Sequence, residues 1–147
     1  MRVKKIAVIV VLLVLSSTYL RAQVKHKVLH HHVNIAASIA RGQQVYIQNC
    51  LTCHQADGKG VQRMNPPLIQ TTYVLGDKKK LITIVLNGFN EDVQINGQSF
   101  SNSMTPHNSL SDQQIADVLT YVRNSFTNKA SAVTAAQVKL VRASNTK

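Results

Sequence analysis

Asn49-Cys50-Leu51-Thr52-Cys53-His54-Gln55 holds the only two cysteines of the chain, three apart, with a histidine directly behind the second. A disulfide across two residues is strained and usually catalytic, and thiol–disulfide exchange calls for a βαβ context. The flanks here read as helix before and loop after. A zinc site needs two further ligands at workable spacing. The other histidines, His26, His30–His32 and His107, are scattered along the chain. His30–His32 are adjacent in sequence and cannot converge on one ion without help, so they read as a solvated tract.

Covalent attachment of a haem uses each residue of the run. On a helical turn, positions i and i+3 share a face, so both thiols can reach the two vinyl groups along one porphyrin edge. His54 follows and can turn its imidazole onto the iron. Cys-x-x-Cys-His is the signature of c-type haem attachment.

The segments around the run give the organisation. Ile35, Ile39, Val45 and Tyr46 recur at close to helical spacing and predict a helix from Ile35 to Asn49. Residues 55–76, rich in Gly, Pro, Asp and Asn, read as loop. Asp77 caps a short helix carrying Leu81, Ile82, Ile84 and Val85, and Gly88 stops it. Val93 and Ile95 alternate with polar residues before Asn96-Gly97, the strongest short hairpin signal. Ser111 opens a last helix, with Gln114 completing a capping box and Ile115, Val118, Leu119 and Val122 as its apolar stripe. From Lys129 the chain is basic and rich in Ala, Ser and Thr, and reads as a frayed helix or a disordered tail.

At the amino end a basic MRVKK precedes an uncharged apolar run from Ile6 to Leu20, and Ala22 offers a cleavage point. This is the layout of a secretory signal peptide. The run is shorter than the ~18–20 apolar residues that span a bilayer, so cleavage is expected; left uncleaved, it would hold the protein at a membrane surface. The expected organisation is a signal peptide over 1–22, a histidine-bearing linker over 23–34, a haem domain over 35–128 and the tail over 129–147. Either way the domain is expected outside the cytoplasm, which agrees with haem attachment there.

Composition narrows the function further. Charged residues make up 16% and hydrophobic ones 44% of 147 residues, which suits one globular domain. Of the 17 basic residues, Arg2, Lys4, Lys5 and Arg21 belong to the expected leader, and without them the formal charge of +11 falls to +7. With no basic helix and no aromatic-studded basic strand, a nucleic-acid partner is not expected. Aromatics are only 5%, with no Trp. The core must therefore be aliphatic or completed by a group that the sequence does not encode.

With these residues the chain resembles the class I, single-haem cytochrome c family, over roughly Ile35 to Asn128. Gly42 and Tyr46 stand before Cys50 as that family's glycine and aromatic do in its first helix, and Tyr121 matches the aromatic of its last helix. Asn65-Pro66-Pro67-Leu68 resembles its Pro-x-Leu loop, in which a proline carbonyl accepts the Nδ1–H of the ligating histidine. Pro66 is the candidate for that carbonyl and Pro67 the reserve. Met104, in SNSMTPHN, resembles the ligand methionine, although Thr105 intervenes before Pro106 where the family has Met-Pro. Met64 and His107 are the rivals for that position.

The resemblance implies an all-α cytochrome c fold of several helices wrapped around one covalent haem c, with a small β-hairpin before the Met104 loop. It implies a periplasmic one-electron carrier, not an enzyme, with Cys50 and Cys53 attaching the haem and His54 and Met104 as axial ligands. Met/His ligation raises the reduction potential. The expected partners are redox proteins, a dehydrogenase as donor and an oxidase or reductase of a respiratory chain as acceptor, meeting a monomer. The hairpin insertion is similar to modules associated with periplasmic dehydrogenases. Lys59, Arg63 and Lys78–Lys80 would supply a basic docking face or a merely solvated one. The other readings are a haem enzyme or small-ligand sensor with a displaceable Met104, and an obligate electron-transfer subunit of a dehydrogenase complex.

Overall fold

Helix α1 spans Ile35–Asn49 and begins where the Asn34 side chain accepts the Ala37 N–H at 3.1 Å. A four-residue turn, α2 (Leu51–His54), follows directly. A second short helix, α3 (Thr72–Leu75), interrupts the expected loop, with the Thr71 hydroxyl accepting the Val74 N–H. Helix α4 (Lys78–Asn87) starts at Asp77 and ends at Gly88. Strands β1 (Val93–Ile95) and β2 (Gln98–Phe100) form an antiparallel hairpin turned at Asn96-Gly97, pairing Val93 with Phe100. Helix α5 (Asp112–Asn124) carries the Ser111/Gln114 capping box, and α6 (Ala135–Ser144) carries a second, Thr134/Gln137. The computed structural model describes residues 34–145; the expected signal peptide and the linker up to residue 33, with His26 and His30–His32, lie outside them. The architecture is thus dominated by helices, with one two-stranded sheet among the described residues.

The principal contact is the crossing of α1 over α5. The buried face of α1 is Ser38, Gly42, Val45 and Tyr46, a helical stripe. Ile35, counted in the stripe on hydropathy, is instead 47% exposed, and Ser38 takes the buried place. The reason is distance. A Cβ on Gly42 would lie 2.0 Å from the Asp117 carbonyl oxygen and 2.8 Å from Tyr121 Cβ, so only small residues fit where the backbones meet. Ser38 Oγ donates to Asp117 Oδ1 at 2.5 Å, and Arg41 Nε and Nη2 donate to the same carboxylate at 2.7 and 2.8 Å. Tyr46, Tyr121 and Phe126 then pack ring on ring, with centroids 5.3–5.6 Å apart.

The segment after residue 128 packs on the body of the molecule. Helix α6 buries Val138 and Val141 against α4 and α5. The stretch before it is fixed by the buried Thr120 hydroxyl, which donates to the Val133 carbonyl and accepts its N–H. Arg123 is 3% exposed and donates to the carbonyls of Val74 and Ser131. Arg142 of α6 reaches Asp112 and the carbonyls of Asn108 and Leu110, fixing the end of the loop that carries Met104.

Candidate functional site

The Cys50–His54 turn inherits its geometry from α1. The Cys50 N–H donates to Tyr46 O at 2.8 Å, and the His54 N–H to Cys50 O at 2.9 Å, so the helix continues through the motif with one break in direction. The Tyr46 hydroxyl donates to the Gln55 carbonyl at 2.6 Å and ties the end of the turn back to the helix that launches it. Cys50 and Cys53 are unbonded thiols, as i, i+3 neighbours on one face should be. Burial, and then the neighbouring Cys53, push the Cys50 thiol up to about 11, so in this environment it stays protonated at neutral pH.

His54 Nδ1 lies 3.1 Å from the Pro66 carbonyl oxygen. A carbonyl can only accept, so Nδ1 carries the proton and Nε2 the free lone pair. Burial holds the imidazole below its ordinary value, against the raising effect of the Pro66 bond, which keeps the ring neutral. The loop that presents Pro66 folds back at Gly60, with φ +69°. A Cβ there would lie 2.2 Å from Asn65 O and 2.7 Å from Pro66 O, so glycine is what lets this carbonyl approach.

Met104 is held by its backbone. Its N–H and carbonyl exchange hydrogen bonds with Phe89 at 2.7 and 3.0 Å. The His107 N–H donates to Val85 O at 2.8 Å. Cys50, Cys53, His54, Pro66 and Met104 all line one cavity, of about 230 Å³ of water-accessible space. Pro67 and His107 line it too, whereas Met64 does not and is 50% exposed. The walls are largely aliphatic, with Val74, Leu81, Val85, Val118, Leu119 and Val122 also belonging to the hydrophobic core. Two thiols, an imidazole and a thioether around one apolar cavity fit a covalently held haem: the donors are of the right kinds, and the walls are those of a core built around a planar apolar group.

Several wall residues carry no signal in the sequence. Thr71 is buried and caps α3, and Tyr73 stands beside Phe89 with centroids 6.1 Å apart. Both come from a stretch whose composition reads only as loop. The proposed basic face is also reduced. Lys59 Nζ pairs with Asp57 at 2.9 Å, Lys78 Nζ donates to Ala132 O at 2.6 Å, and Lys80 Nζ sits 4.8 Å from the Tyr73 ring centroid. Arg63 and Lys79 have no side-chain partner among the described residues. No group of three or more His, Cys, Asp or Glu that could hold a metal ion occurs among the described residues.

A family model described as Cytochrome c matches residues 39–126. The cytochrome c subunit of the quinone alcohol dehydrogenase of Gluconacetobacter polyoxogenes is 38% identical over 104 residues, covering 69% of this chain and 22% of that protein. Cytochrome c-552 of Thermus thermophilus is 29% identical over 118 residues, covering 74% and 79%. The cytochrome c subunit of the gluconate 2-dehydrogenase of Pantoea cypripedii is 34% identical over 109 residues, covering 71% and 24%. The chain therefore spans less than a quarter of the length of the dehydrogenase subunits it matches.

Proposed function

The chain belongs to the cytochrome c family of electron carriers, which hold haem c covalently, and from that membership we propose a periplasmic or otherwise exported one-electron carrier, its haem bonded to Cys50 and Cys53 and ligated by His54 and Met104. The observation that carries the reading is that these four side chains meet on one apolar cavity. When bound, the haem supplies reversible one-electron cycling between Fe(III) and Fe(II).

The chain's own residues set the conditions for that cycling. The Pro66 carbonyl fixes the His54 tautomer and orientation and raises the basicity of Nε2. The Met104 thioether is a soft donor that favours the reduced metal, and its backbone pairing with Phe89 keeps it on the cavity wall. With His54 and Met104 both held to the bound haem, no position would be left free for a substrate, which would separate a carrier from a haem enzyme or sensor. The aliphatic walls exclude water and keep reorganisation on electron transfer small.

The donor in this reading is a dehydrogenase and the acceptor an oxidase or reductase. Support comes from two relatives that are named as dehydrogenase cytochrome subunits. The same observation favours a second reading, an obligate subunit of a dehydrogenase complex; stable co-purification with a large partner would select it over a free monomer. Potentiometric titration of the purified holoprotein tests the carrier reading. It should follow a single reversible one-electron curve, with carbon monoxide binding slowly or not at all to the ferrous form. Rapid carbon monoxide binding at neutral pH would overturn it in favour of the enzyme or sensor.

A further inference from the structure

The Pro66 carbonyl that orients His54 sits in a span that cannot hold itself. Neither Pro66 nor Pro67 has an N–H, so no backbone donor lies between Asn65 and Leu68. Its own backbone N–H donors act only at its ends. Asn65 exchanges hydrogen bonds with Val61 at 2.9 and 3.0 Å. At the other end the Leu68 N–H donates to Gly58 O at 2.8 Å, and the Leu68 carbonyl accepts from the Asn128 side-chain amide at 2.9 Å.

Asn128 is 3% exposed and nearly saturated. Its Nδ2 donates to the carbonyls of Leu68 and Val122, and its Oδ1 accepts the Gln70 N–H at 2.8 Å. The Gln70 side chain in turn donates to Thr127 O at 2.6 Å. Gln70, Phe126 and Thr127 all have φ between 51° and 66°, the left-handed region that costs L-residues energy. Two strained segments are thus held against each other by one buried amide. Asn128 also lies beyond residues 39–126, the part matched by the family model.

We infer that Asn128 is a positioning residue for the His54 ligand: by clamping Leu68 and Gln70 to the end of α5, it holds the Pro66 carbonyl at hydrogen-bonding distance from His54 Nδ1. Loosening the clamp lengthens that bond, makes His54 a weaker donor and destabilises the ferric state relative to the ferrous. This rests on the proposed ligation by His54.

The test compares Asn128→Leu with Thr120→Val in the full-length holoprotein. Thr120 holds Val133 in the same C-terminal segment, and none of its side-chain hydrogen bonds reaches the Pro66 loop, so it controls for general loosening. Two readouts are followed, the midpoint potential and the solvent-exchange rate of the His54 Nδ1–H by NMR. Asn128→Leu should raise the midpoint and speed the exchange at least tenfold, while Thr120→Val lowers the melting temperature and leaves both unchanged. Unaltered potential and exchange in Asn128→Leu, or equal changes in Thr120→Val, overturn the inference. If Asn128→Leu does not accumulate with haem, Asn128→Ser carries the same test. Absence of a ligated-histidine Nδ1–H signal in the wild type would instead count against His54 as ligand, so the two failures are distinguishable.

Discussion

Helix α5 has two faces with opposite requirements. On one, Asp117 and Tyr121 meet Gly42, Ser38 and Arg41 of α1, with the backbones so close that no Cβ fits at Gly42. On the other, Val118, Leu119 and Val122 form the wall of the cavity that also carries Cys50, His54 and Met104. The crossing is a finished piece of core, set by backbone approach and one ion pair. The cavity side is finished only by a group bonded to the chain, which is why a protein with so few aromatics can still have a core. The two faces should therefore respond differently to mutation and to loss of haem.

The largest effect belongs to the cavity. Cys50→Ser combined with Cys53→Ser should abolish covalent haem, read as loss of haem signal from the denatured chain, and should broaden the thermal transition. Haem that stays with the denatured double variant would contradict the attachment assignment. Next comes the crossing. Gly42→Val places a branched side chain where even a Cβ meets the Asp117 carbonyl, and should destabilise the protein at or above the upper end of the ~1–3 kcal/mol usual for overpacking. Denaturant unfolding checks this, and a cost below about 0.5 kcal/mol would mean that the helices do not cross as closely as described.

A smaller effect concerns Asp117. Burial pushes its carboxyl up, but hydrogen bonds from Arg41, Ser38 and Gln113 outweigh burial and hold it below the ordinary carboxylate value. The unfolded chain then takes up the proton first, so the stabilisation is complete above about pH 4 and is lost as pH falls through the lowered folded value. Arg41 is 55% exposed, so solvent screens the pair and keeps its contribution modest. Melting temperatures between pH 5 and pH 2 should fall less steeply in Asp117→Asn than in the wild type; parallel curves would contradict the assignment. The smallest expected effect is at the α5 cap, where Ser111→Ala should cost about 1 kcal/mol in chemical denaturation without altering the haem spectrum.

What the sequence discloses follows the range of the interactions. The Cys50–His54 turn, the Asp77, Gly88 and Ser111 helix signals and the Asn96-Gly97 hairpin depend on neighbours within a few residues, and they stand where local chemistry puts them. Gly42 and Tyr121 were legible through a family resemblance, not through hydropathy, which favoured Ile35 over Ser38. Asn128, Arg123 and Thr71 left no trace. Asn128 and Arg123 form their decisive hydrogen bonds across some 50–60 residues of sequence, and no periodicity encodes such a bond. A charge count is blind to partners at any range: of the five basic residues read as one face, Lys59 pairs with Asp57 two residues away, Lys78 reaches Ala132 across 54 residues, and Lys80 sits by the Tyr73 ring.

Ligation by Met104 is tested by the near-infrared absorption of the ferric holoprotein at neutral pH, compared with that of Met104→Ala. The wild type should show the weak methionine-to-iron charge-transfer band, and the variant should lose it and fall in midpoint potential with the haem still covalently attached. A wild type without the band, or a variant that keeps both band and potential, would contradict ligation by Met104.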